Sequence, residues 1–158
     1  MENVKTVKYR KGYRYQSVEA YQQDVAIEGI FPVKPGGNEF VHLTLDGELY
    51  IAAWYAWNGA NKPAINDPTF VIPSMEHDAL CQLWNLGIID DAGRAAADKL
   101  LGKRLKQCTL IIAARQKWPL RWALTALAYT RPLWVEGAVS WYSERFAMRG
   151  PEPILTAP

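Results

Sequence analysis

The stretch "FVHLTLDGELYIAAWYAW", residues 40–57, decides how the chain begins. Two runs rich in Val, Leu, Tyr, Ile and Trp flank Asp46-Gly47. That dipeptide suits a two-residue turn whose backbone needs positive φ, so the segment is predicted to be a β-hairpin. Upstream, "FPVKPGG" gathers two prolines and two glycines into a loop. Residues 8–15 and 25–27 are predicted to add further strands. Downstream, "NGANKPAINDP" is too rich in Asn, Gly and Pro to be anything but a loop.

After that loop the pattern turns helical. Pro73 is expected at the first helical position, where its missing N–H costs nothing. The helix should run to about Asn85, with Gly87 as its stop. Asp90 or Asp91 can cap a second helix, which Ala95, Ala96, Ala97, Leu100 and Leu101 favour. Gly102 sits inside that helix and would permit close approach of a neighbour. The remainder is predicted to be helical in two or three pieces broken near Pro119 and Pro132, with an irregular tail over residues 150–158. Trp122, Trp134 and Trp141 read as core rather than as a cofactor box. The expected fold is α+β: a small antiparallel sheet, then an antiparallel helix pair and C-terminal helices.

The chain has 158 residues, which fits a single domain with its own core. An apolar fraction of 49% and a charged fraction of 22% exclude bulk disorder. A net charge of +2 implies no particular partner. Residues 1–15 form a candidate basic arm, with Lys5, Lys8, Arg10, Lys11 and Arg14 against Glu2 alone. It reads as a solvated terminal strand or arm ahead of a contact with an acidic protein surface, and nucleic acid is not expected. No apolar leader and no run long enough to span a bilayer are visible. Two cysteines, Cys81 and Cys108, do not make a disulfide scaffold and suit synthesis in a reducing cytoplasm. Gly-rich phosphate loops, zinc spacings and Gly-x-Ser-x-Gly elbows are absent from the sequence.

The candidate site lies in "FVIPSMEHDALCQLW", residues 70–84. On a helix His77, Leu80, Cys81 and Trp84 share one face, while Asp78 points about 100° away. His77 lies roughly 15 Å before the expected turn and Asp98 roughly 12 Å beyond it, at 1.5 Å per residue. In an antiparallel pair the two come level. Asp98 could then hold one ring nitrogen and leave the other free as a base. The plainer reading is a polar cluster that fixes helix register. A metal phosphohydrolase of the HD type would need more ligands, and only His42 remains. Trp54, Tyr55 and Trp57 stand close in sequence to the site, where rings could line an acyl or peptide pocket, or face a protein partner.

"WNGANKP", followed by "FVIPSMEHDALC" and Asp98, resembles the core of phospholipase A2-like proteins of the small bacterial and fungal branch, over residues 57–105. The likeness implies His77 as base, Asp98 as its orienter, and Asp78 with Asn58 and Gly59 as holders of Ca²⁺. Asn58 stands where that family has Asp, and Cys81 where it has Tyr. Over residues 39–150 the chain also resembles a family of short phage and prophage proteins of unknown function, which share a His-Asp pattern and a Trp-rich C-terminus like "RPLWVEGAVSWY". That resemblance implies a phage-encoded accessory or virion-associated component, of the tail or baseplate for example, made in the host cytoplasm. A calcium-dependent esterase acting on lipid at the host envelope is the second expectation. An intracellular binder of a host protein is the third.

Overall fold

The computed structural model describes residues 9–10, 15–59 and 67–146. Its strands are β1 (Tyr9–Arg10), β2 (Tyr15–Ser17), β3 (Tyr21–Asp24), β4 (Gly36–Gly37), β5 (Val41–Leu43), β6 (Glu48–Ile51) and β7 (Ala56–Trp57). They form two small antiparallel sheets, ordered β1-β2-β7 and β3-β6-β5-β4. The hairpin sets Leu43 opposite Leu49 and Val41 opposite Ile51. All four are buried, while His42 points outward opposite Tyr50. The period-two alternation of the sequence thus fixes which face of this sheet meets the core.

The hairpin turn differs from the two-residue form expected of Asp46-Gly47. Residues 44–47 connect the strands, with the Gly47 N–H bonded to the Thr44 carbonyl at 3.0 Å. Only Gly47 has positive φ, 81°. A Cβ there would lie 2.6 Å from that of Ala26, so glycine is required for space as well as conformation. The strand expected over residues 25–27 is instead a single 3₁₀ turn, Ala26–Glu28. Asp24 causes this: its carboxylate accepts the Ala26 N–H at 2.9 Å and turns the chain out of β3. Most of the expected basic arm, residues 1–8 and 11–14, lies outside the described residues, as do the loop 60–66 and the tail 147–158.

Three helices follow: α1 (Val71–Asn85), α2 (Asp91–Ala114) and α3 (Leu120–Phe146). Gly87, at φ 67°, ends the α1 turn as expected. Asp90 caps α2 by accepting the Gly93 N–H at 2.8 Å. Pro73 is the third residue of α1, not the first. Its missing N–H is still among the four that no helix can satisfy internally. His77 meets Asp98 and Trp84 meets Asp91, so α1 and α2 run antiparallel. Gly102 lies against Pro132 and Glu136, and Lys106 covers the Tyr129 ring at 4.1 Å, so α2 and α3 do too.

The break expected at Pro132 does not occur, and α3 runs straight through it. Pro132 is buried against Gly102, where a Cβ would sit 3.7 Å from the proline ring. Its neighbour Arg131, also buried, donates to Asp67 Oδ2 at 2.6 Å and to Thr69 Oγ1 at 2.9 Å. These contacts hold the helix on course despite the lost hydrogen bond. The main core joins the sheets to α1 and the start of α2. A smaller one, Phe70, Leu101, Leu105 and Val135 with Val139, seats α3.

The core reading of the C-terminal tryptophans is overturned. Trp122 is 70% exposed and Trp141 51%, and Trp134 is also largely open. Helical spacing alone identified a face, and that face is the outer one. Among the described residues no helix is long and apolar enough to cross a membrane.

Candidate functional site

His77 stands in the second turn of α1, on the side facing α2. Its Nε2 lies 2.8 Å from Asp98 Oδ1, the partner that the residue count proposed. Nδ1 faces Asp78 Oδ1 at 3.7 Å and Cys81 Sγ at 3.6 Å. The ring is buried, at 9% exposure, and Asp98 is buried beside it. Cys81 is half-buried, and it and Cys108 are free thiols.

Arg94 is the member that sequence reasoning missed. One turn before Asp98 on α2, it bonds Asp98 Oδ1, and its Nη1 lies 3.1 Å from His77 Nε2. The i,i+4 spacing of Arg94 and Asp98 was the available signal. A single carboxylate oxygen therefore accepts from two donors.

The charges settle accordingly. Burial pushes Asp98 upward, but the His77 hydrogen bond and the Arg94 charge overcome it and hold the carboxyl below its ordinary value. Burial pushes His77 downward, yet the charge on Cys81 and hydrogen bonds with Asp78 and Asp98 carry it well above 6.5. The raised pKa favours the protonated ring, with Nε2 donating to Asp98. An imidazolium has no lone pair with which to take a proton from water.

A second buried cluster lies alongside. Glu76, the residue before His77, accepts from Tyr21 at 2.5 Å and from Arg104 Nε at 3.1 Å. Burial raises the Glu76 carboxyl, with Arg104 opposing. Burial likewise raises the Tyr21 hydroxyl. The cluster ties β3, α1 and α2 together. No local pattern in the sequence joins Tyr21 to residues 55 and 83 positions further on.

The remaining candidates are only partly brought together. Trp57 is buried; it stacks on Tyr15 at 5.4 Å between centroids, and its indole donates to Ser74 Oγ at 3.0 Å. It packs on α1 at Ser74, one turn before His77. Trp54 stands half-exposed on the turn between β6 and β7 with φ 70°. Asn58 is exposed and Gly59 buried, at the edge of the loop 60–66.

Calcium at this site would depend on Asp78, the Asn58 amide and the Gly59 carbonyl. Asp78 is the only anion of the three, and it is turned toward His77. Among the described residues no three His, Cys, Asp or Glu side chains gather to hold a metal. Calcium affinity follows the number and charge of oxygen ligands, and this donor set supplies a single anion. No family model, curated protein or solved structure matches the chain.

Proposed function

We propose that the chain is a phage-encoded accessory protein, virion-associated or acting on a host protein, that docks through the outer face of α3. The phage origin rests on the resemblance of residues 39–150. One observation carries the docking role. Leu127, Tyr129, Leu133, Trp134 and Trp141 all stand largely open to solvent along one helix. From Trp122 to Trp141 the only charges are Arg131 and Glu136, and both turn inward. Trp118, Leu120 and Trp122 extend this exposed apolar set to the start of the helix. Large apolar side chains exposed in such number along one helix point to an interaction site.

On this reading His77 and Asp98 lock the helix pair that carries α3. The esterase reading needs a neutral His77 with a free ring nitrogen, and the raised pKa of the ring weighs against it. A photo-cross-linking residue in place of Leu133 tests the docking role in infected cells or particles. Cross-links to a virion or host protein are expected from position 133 and not from position 42 on the sheet. Equal or absent cross-linking at both removes the role. An ester-release assay should give the same rate for wild type and His77→Ala; a rate lost in the variant restores the hydrolase.

A further inference from the structure

The end of the α2–α3 hairpin has a chemistry different from the rest of the helical face. Between Lys99 and Val135 the chain holds eight cations and no carboxylate. Four of these are engaged: Lys103 with Glu28, Arg104 with Glu76, Arg131 with Asp67, and Lys106 over Tyr129. Arg115, Lys117 and Arg121 cluster at the turn, all exposed, with no side-chain partner among the described residues. Between them stand Trp118 at 82% exposure, Leu120 at 51% and Trp122 at 70%. The turn lies about 24 Å along α2 from Asp98, at 1.5 Å per residue. Nothing in the His77 cluster requires it.

We propose that this turn is a docking site for an anionic lipid surface. Indole rings sit favourably at the level of lipid headgroups, with an apolar body inward and an N–H toward water. Lys and Arg at the same level pair with anionic headgroups, and their long stems reach outward past buried rings. The turn supplies both and carries no acidic group to repel the surface. The proposal rests on the reading of α2–α3 as the docking element and names one thing that element touches. The apolar stretch around Leu133 remains available to a protein.

Vesicle co-sedimentation of the full chain tests it, using phosphatidylcholine with and without phosphatidylglycerol. Wild type is expected to bind the anionic vesicles at least about ten-fold better, with the preference falling as salt is added. Arg115→Gln/Lys117→Gln/Arg121→Gln should lose about a hundred-fold on anionic vesicles. Trp118→Ser/Trp122→Ser should lose binding to both kinds. All five positions are exposed, and unchanged melting temperatures certify the folds. Overturning results are no binding, equal binding to both vesicles, or variants that bind like wild type. Tighter tip-dependent binding to a single-stranded oligonucleotide, measured in parallel, also overturns it. Cross-linking from position 133 that survives Trp118→Ser/Trp122→Ser shows the protein-docking role standing without the lipid one.

Discussion

His77 Nε2 and Asp98 Oδ1 lie 2.8 Å apart across the α1–α2 pair, and Arg94 closes on the same oxygen. One buried carboxylate oxygen therefore holds both the ring and the guanidinium. Asp98→Ala removes the acceptor they share and leaves His77 only the more distant Asp78 carboxylate, at 3.7 Å. It should destabilise the fold by about 3–5 kcal/mol, the cost of breaking a buried ion pair from one side. Urea unfolding measures this. Asp98→Asn keeps the shape and an acceptor and should still lose most of it, because it removes the charge. A loss below about 1 kcal/mol for Asp98→Ala would mean that the cluster holds nothing together.

The pH dependence has a definite sign. The folded pKa of His77 lies well above its ordinary 6.5. Its contribution is therefore complete below about pH 6.5 and is lost as pH rises through the folded value. The difference in melting temperature between wild type and His77→Gln should be largest near pH 6 and shrink toward alkaline pH. A difference that grew with pH would show that His77 is neutral in the folded state.

Calcium should leave the protein unchanged. An ion that binds the folded state raises its melting point by mass action. With Asp78 the one anion of its donor set, millimolar Ca²⁺ should produce no shift. A clear rise, abolished by Asp78→Asn, would bring the calcium esterase back.

The two thiols should differ. Cys81 is half-buried beside His77, and Cys108 is buried with its thiol pushed up to about 11 by burial and by the charge of Glu76. Native protein should take up one alkylating group, at Cys81, and a second only in denaturant. Mass mapping after digestion decides it. Labelling of Cys108 first would place the opening of the molecule on the α2 side.

Much of this was legible in the sequence where local chemistry decides. The Asp46-Gly47 hairpin, the Gly87 stop and the Asp90 cap each depend on one or two residues and their neighbours. The His77–Asp98 meeting needed only helix rise and a turn position. Features that failed depend on distant partners. Nothing near Pro132 announces that Gly102 will receive it, and nothing near Trp122 or Trp141 says which side of α3 meets α2. Periodicity finds a face without saying what covers it. Tyr21, Glu76 and Arg104 meet only once the sheet has closed on the helices.

The seating of α3 has a consequence for the order in which the molecule comes apart. α3 is held by a small cluster of Phe70, Leu101, Leu105, Val135 and Val139, and by the Arg131 anchor to Asp67, while the sheets and α1 share the larger core. An element seated apart from the main core is expected to open as a unit at a lower free energy than global unfolding. Backbone amides of α3 should exchange with deuterium well ahead of those in α1 and β6. A partner seated on α3 would slow that exchange without adding a contact to the rest of the protein, so the helix reports on its own occupancy.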